Sequence, residues 1–511
     1  MGEKRFVAAL GDGNGTKVAA TLRNNFGILL GVAFVLVQAF DARTYPLFTF
    51  DEALLNDAGL QLATIGQFKA DILRQTEGFE RHYLWQPPGL ALSAAVSYFF
   101  FGLGLLQTRL PSIVFGGLGI WAMYRFVRGI SPSMLGAAIA TLSLFFWPNW
   151  TLTAKESRMD TAAIFAMLAA SGLVVDALSI DKPPARRKLF LAGFCASAAA
   201  LFHTVALQWA LGLAIVVFLF SRTRLVSAIL FCAGTGLMIG LWLLYALQFP
   251  EEFQLQYVAL FWDRVGGGAT PSRLLNAAQR HAGEFAKVPT TYLVLALALT
   301  GLILNRTWED QRIRILLVLT AVVLCLHVLA AGNALAGFYT LYPLVLVFCV
   351  MGIGLETCLS RFGVTGRGRW LAVGAGVGYA LFILNIAAFS VGPRILAWWF
   401  QSQQRDYASV MAPLSARLKP GDQVWGTAVA WPAIVNSGAR LDANEWIPRK
   451  KEPRSDARIH KYVVVRRHSS FEGMDDYRKV LEFGDDLPLV LGSTLANKSY
   501  AFDLWQSQRL D

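Results

Sequence analysis

The sequence has little charge and little cysteine. Only 16% of its 511 residues are Asp, Glu, Lys or Arg, against 55% hydrophobic residues and a mean hydropathy of +0.46. That balance argues against a soluble globular chain. The five cysteines (Cys195, Cys232, Cys325, Cys349, Cys358) all lie in or beside apolar segments, without C-x-x-C spacing. Neither a disulfide framework nor a zinc site is supported. No D-x-D or histidine cluster stands in the polar loops, and no internal repeat is evident. No small-residue cleavage site follows the first apolar run, which reads as a retained anchor rather than a signal peptide.

What the chain does have is apolar runs of about 17 to 22 residues, recurring from Phe26 to Val391. The reading is a polytopic α-helical membrane protein of about 11 to 13 transmembrane helices. Three regions are expected: a cytoplasmic tail over 1–25, a transmembrane domain over 26–391, and an extracytoplasmic α/β domain over 392–511 of ordinary soluble composition. In that last region "QRDYASVMAPLSARL" has helical spacing, while "DQVWGTAV", "KYVVVRR" and "LPLVLG" read as strands. The net charge of +12 sits largely in short loops, where the positive-inside rule accounts for it, so no nucleic-acid partner is expected.

Sidedness follows from the basic clusters. Lys4, Arg5, Lys17 and Arg23 precede the first span, and further clusters occur at Arg125/Arg128, Lys182–Lys188, Arg222/Arg224, Arg306–Arg314 and Arg361–Arg369. With all of these inside, the loops 43–107 and 248–289 and the C-terminal domain lie outside. The count needs about eleven spans and requires Leu90–Leu106, which follows Pro87-Pro88, not to cross. Residues 189–220 are too many for one span and barely enough for two, so two short helices should meet at His203-Thr204.

The first outer loop opens with "FTFDEALLNDAG", which places Asp51, Glu52 and Asp57 directly after an apolar run. Thr49 and Glu52 form a T-x-x-E capping box, so a helix should start at Phe50. Leu54, Leu55, Ala58, Leu62 and Ile65 make an apolar stripe suited to a helix lying on the bilayer surface. By themselves these acids could serve only to complement the helix dipole. "ERHYLWQPPG" follows in the same loop, and "AKESRMD" (Lys155, Glu156, Arg158, Asp160) stands where another span begins.

The order of acidic helix, aromatic-rich P-P turn, "TRLPSIVFGGLGIWAMYRFVRG" and "SRMDTAAIFAMLAASGLVV" resembles the GT-C glycosyltransferases. Within them it looks most like the branch of bacterial lipid A aminoarabinose transferases and protein O-mannosyltransferases. By motif the resemblance spans Phe26 to Phe220. It implies a GT-C-like fold and transfer of a sugar from a polyprenyl-phosphate donor to a lipid, glycan or protein acceptor at the outer face of the cytoplasmic membrane. Asp51 matches the candidate general base, and Glu52 would position the acceptor or support the helix. A single base without a carboxylate nucleophile implies inversion at the sugar carbon.

The leaving phosphate needs cations in a region of low dielectric. Relatives carry lysines where this chain has Gln86 and His203. Arg158 and His203, with His82 near the P-P turn, are the expected substitutes, supported by Asp160 and Lys155. Arg264, Arg273, His281 and Lys287 on the second long loop are further candidate contacts, as is Tyr339 in "GFYTLYPLVLV", where the family arginine is missing. Each has a plainer alternative: interfacial anchoring for Arg158 and Lys155, a backbone-bonded turn for His203, an aromatic belt for Tyr339. No cofactor and no essential metal are expected, although the sequence leaves a divalent metal open. The competing readings are a transporter or flippase of lipid-linked envelope precursors, and a scaffold whose outer domain binds envelope proteins. The absence of cysteine outside the membrane fits a bacterial envelope.

Overall fold

The computed structural model describes residues 13–74, 77–131, 133–178, 184–259, 270–330, 337–362, 369–443, 460–471, 474–487 and 500–508. The chain enters through helix α1 (Gly13–Phe40), which takes in part of the expected tail. Two helices of the first long loop follow, α2 (Phe50–Ile65) and α3 (Gly89–Phe101). Next come α4 (Leu105–Ile130), α5 (Met134–Phe146), the short α6 (Pro148–Lys155) and α7 (Asp160–Ala177). Residues 189–220 divide at His203, as their length requires, into α8 (Arg186–Phe202) and α9 (Ala206–Phe220), followed by α10 (Arg224–Ala246). After α11 (Pro271–Ala286) the bundle closes with α12 (Thr290–Leu304), α13 (Gln311–Ala330), α14 (Leu341–Phe362) and α15 (Arg369–Ser390).

Small residues let these helices approach closely, since lipid offers no hydrophobic drive for association. Where α8 meets α10, a Cβ on Gly193 would fall 2.0 Å from the Phe231 carbonyl oxygen, and one on Gly234 would fall 2.2 Å from that of Phe190. Any side chain there would pry the pair apart.

Not every apolar helix has the full length of a span. Among the described residues six helices are long and apolar enough to cross a bilayer, seven if the bent pair α11–α12 counts as one. Apolar helices such as α3, α5 and α9 have only 13 to 15 residues. At about 1.5 Å per residue they fall short of a hydrocarbon core of about 30 Å. The reason is visible at Trp147-Pro148, where the chain breaks between α5 and α6 within one apolar run. The α11–α12 pair bends by 98°. If α12 stands across the membrane, α11 lies along its surface, which suits its polar and apolar faces.

The C-terminal region begins with α16 (Gly392–Arg405) and α17 (Tyr407–Arg417). It continues into a five-stranded sheet of order β2-β1-β3-β5-β4, built from β1 (Gln423–Gly426), β2 (Arg440–Ala443), β3 (Tyr462–Arg466), β4 (Tyr477–Phe483) and β5 (Phe502–Ser507). β1 pairs in parallel with β2 and β3, while β5 runs antiparallel to β3 and β4. The short helix α18 (Trp431–Asn436) carries Trp431. The expected strands at 422–429 and 461–467 are β1 and β3, and the one expected at 487–492 falls almost wholly outside the described residues.

The larger core of this domain is shared with the first loop, while the other face of the sheet keeps a small cluster of its own around Val463, Val465 and Tyr477. Phe48, Ala53, Leu54 and Leu55 of the first loop pack in one buried cluster with Tyr407, Leu414, Trp431, Tyr462 and Phe502. Phe48 stacks on Trp431 at 6.0 Å with an interplanar angle of 5°. The backbone of Ala443 donates to the Ile72 carbonyl, and the Tyr500 hydroxyl donates to that of Thr44. The bilayer-surface expectation for α2 is therefore corrected: Glu52 to Leu60 are buried on every side, beneath the α/β cap rather than against lipid. An apolar stripe specifies a dry neighbour without saying which one.

Candidate active site

The site forms where α2, α4, α7 and α14 converge under the cap. α2 starts as its sequence dictates: Thr49 accepts from the Glu52 amide, and the Glu52 carboxylate accepts from the Thr49 amide at 3.0 Å. Glu52 is fully buried and also takes a forked contact from Arg109, with Nε at 2.8 Å and Nη2 at 3.0 Å. Arg109 donates its remaining arm to the Ala42 carbonyl at 2.7 Å. Glu52 thus anchors the helix.

Asp51 faces the other way. Its side chain is 52% exposed and lies 3.0 Å from Nη1 of Arg158, which is itself buried. Arg158 Nε donates to Asp160 at 3.0 Å, and the guanidinium sits 4.2 Å above the Phe338 ring and 6.0 Å from the Tyr339 ring. That burial is not the position of a headgroup anchor. The turn before Arg158 is strained, since Ser157 adopts φ +45°, a left-handed conformation unusual outside glycine. The Ser157 hydroxyl, with one proton to give, lies 2.7 Å from the Thr108 carbonyl on α4 and 3.1 Å from the Asn56 amide oxygen on α2, a shared donation that holds the turn. Asn56 in turn donates to the Glu52 carbonyl oxygen.

His203, at the α8–α9 turn, is buried and accepts from the Val205 amide at 3.2 Å. Its ring lies 5.3 Å from that of Tyr339 and 5.9 Å from that of Tyr342. The turn 337–340 therefore joins Arg158, through Phe338, to His203, through Tyr339.

The other sequence candidates lie elsewhere. His82 stacks on Phe249 at 3.5 Å and faces Glu252, whose carboxylate is 3.7 Å from its Nδ1, so an acid already occupies its polar edge. Lys155 is buried against Asp41, which also takes Arg394 at 2.9 and 3.0 Å; Lys155 belongs to the seam between bundle and cap. Gln86 is buried beside the P-P turn. Lys287 is exposed and paired with Glu284 at 2.6 Å. His281 is buried against His327. Arg264 and the Arg273 side chain lie outside the described residues.

Sequence reasoning missed Arg109, Asp41, Arg394, Phe338 and His327 as participants, and missed the role of Asp57. Asp57 is buried between α2 and the cap, where it accepts from the Asp71 and Ile72 amides and from the Trp431 indole at 3.3 Å. Burial, only partly offset by the Ile72 amide, pushes its carboxyl up to about 6. An acid following a capping box by five residues carries no signal for these partners.

No protein-family model matches the sequence, and no curated protein matches it. Solved structures do. ArnT from Cupriavidus metallidurans bound to undecaprenyl phosphate superposes with a TM-score of 0.57 at 14% identity, covering 94% of this chain and 98% of that one. The archaeal oligosaccharyltransferase AglB from Archaeoglobus fulgidus, in complex with an inhibitory peptide and a dolichol-phosphate, superposes with a TM-score of 0.51 at 12% identity, covering 87% and 70%. The first likeness takes in both the helical bundle and the cap, and what it shows is a shared architecture. The chain is built on the GT-C fold of the integral-membrane glycosyltransferases.

Proposed function

We propose that the protein transfers a sugar from a polyprenyl-phosphate donor to an acceptor hydroxyl. Transfer would occur on the membrane face that carries the cap, which the basic loops put outside the cytoplasm. The observation that carries this reading is the direct contact of Asp51, half exposed, with Arg158, buried and fixed by Asp160 and Phe338. In the donor, one oxygen separates the anomeric carbon from phosphorus. Acceptor and phosphate lie on opposite faces of that carbon, so the Asp51–Arg158 contact opens as the sugar seats between them, leaving the base toward the acceptor and the cation toward the phosphate.

Asp51 takes the acceptor's proton as the acceptor oxygen attacks the anomeric carbon. The bond from that carbon to the phosphate oxygen breaks, and the electron pair leaves with polyprenyl phosphate. Arg158 stabilises the growing charge through its fixed fork, in a region too dry for water to screen it. A well-placed base contributes about 10²–10⁴-fold. Attack from the face opposite the phosphate inverts the sugar carbon. Binding of undecaprenyl phosphate by ArnT and of dolichol-phosphate by AglB supports the choice of lipid carrier.

The test incubates purified protein with radiolabelled polyprenyl-phosphate sugars and candidate lipid, glycan and protein acceptors. A labelled glycoside that disappears in Asp51→Asn is the expected result, and undiminished transfer by that variant removes Asp51 as the base. Label accumulating inside proteoliposomes without a new glycosidic bond would favour the transporter reading instead.

A further inference from the structure

His281 on α11 and His327 on α13 face each other with ring centroids 4.9 Å apart. Both are more than nine-tenths buried, and the Nε2 atom of each has no hydrogen-bond partner among the described residues. Two such atoms in a dry site are costly unless something bonds them. The tautomer of His327 is set by its neighbour. Its Nδ1 lies 2.8 Å from the Gln208 amide oxygen, an acceptor, so Nδ1 carries the proton and Nε2 of the neutral ring presents a lone pair. Burial pushes the His281 imidazole down, against the partial pull of Glu284, which keeps that ring neutral as well.

The pair adjoins the transfer site. Glu284, one helical turn beyond His281, approaches Gly337, whose carbonyl accepts from Asn149 at 3.1 Å. The next residues of that turn are Phe338 beneath Arg158 and Tyr339 against His203. Gln208 follows His203 by five residues at the start of α9.

Resting on the transferase reading above, we infer that the His281–His327 pair is a subsite for a hydroxyl group of the donor's sugar. A phosphate dianion has no proton to give the His327 lone pair, and neither does a carbonyl oxygen. With the His281 proton on Nε2, a hydroxyl donates to His327 Nε2 and at the same time accepts from His281 Nε2, so one group satisfies both rings. Arg158 then holds the phosphate while the imidazoles read the sugar, and Gln208 fixes the ring that does the accepting.

The experiment compares binding of undecaprenyl phosphate with binding of a panel of undecaprenyl-phosphate-linked hexoses and pentoses to the full-length protein. The variants are His327→Phe, His281→Phe and the milder His327→Gln. Wild type should bind at least one linked sugar more tightly than the bare lipid, and each Phe variant should lose about tenfold of that advantage. Retained affinity for the bare lipid shows that a variant is folded, and His327→Gln should lose less than His327→Phe. An advantage that survives in both Phe variants overturns the subsite and leaves the transferase reading standing. So does equal wild-type binding of bare and linked lipid, with the pair then holding water only. Wild type that binds none of these lipids overturns the transferase reading itself, and this inference with it.

Discussion

Asp51 and Glu52 are consecutive in the chain but point into different media: the first is half exposed at Arg158, the second is sealed in a fork with Arg109. Glu52→Gln should therefore act on stability. Leaving Arg109 buried without its acid costs about 3–5 kcal/mol. The double variant Glu52→Leu, Arg109→Met should recover much of the loss. Thermal unfolding in detergent reads both, with Asp51→Asn expected to melt with the wild type. A Glu52→Gln protein that melts normally yet cannot transfer would mean Glu52 meets substrate.

Arg158 should tolerate lysine structurally but not functionally. A lysine keeps one charge for the buried Asp160 yet cannot grip Asp160 and a phosphate at once from a planar fork. Affinity for undecaprenyl phosphate should fall by about tenfold in Arg158→Lys, the loss of one charge-assisted hydrogen bond. Unchanged affinity would remove Arg158 from the phosphate site.

Asp57 gives a pH signature. Unfolded, its carboxyl titrates near the ordinary value of about 3.9; folded, it titrates at about 6. Between these values the native state holds a proton that the unfolded chain lacks. Its contribution is complete below about pH 4, falls as pH rises, and is gone above about pH 6, a swing of about 3 kcal/mol. The difference in melting temperature between wild type and Asp57→Asn should therefore change across that window and flatten above it. A difference constant from pH 4 to 8 would contradict this environment for Asp57.

Trp431→Ala should loosen the cap and the first loop together. The indole fills the shared core against Phe48 and donates to Asp57, and emptying such a site costs about 3–5 kcal/mol. Limited proteolysis should reveal new cuts in both segments with the same time course. Cuts confined to the cap would show that the two fold separately.

Local chemistry was legible in the sequence and distant partnership was not. The capping box at Thr49 and the break at His203 are written in adjacent residues, and the structure has both. The Arg158–Asp160 pair is two residues apart and equally readable. Glu52 meets Arg109 across 57 positions and Asp57 meets Trp431 across 374, distances at which a single sequence carries no pairing information. His82 shows the same limit from the other side. Its place beside the P-P turn suggested the phosphate, and only the fold brings Glu252 against it. Among the described residues fewer helices than the expected spans have full bilayer length, because an apolar run is counted in residues and Trp147-Pro148 splits such a run with no change in hydropathy.

The joint core under the cap sets a limit on how this chain could be shortened or rearranged. Cutting the chain at Gly392 would take away Trp431, Tyr407 and the arginine that holds Asp41, exposing the underside of α2 to water. That helix would peel from the bundle and carry Asp51 away from Arg158. The C-terminal quarter thus works as a keystone rather than a detachable lid. Substitutions at Phe48 or Leu54 should be tolerated best when matched by compensating changes in the cap that shares their core.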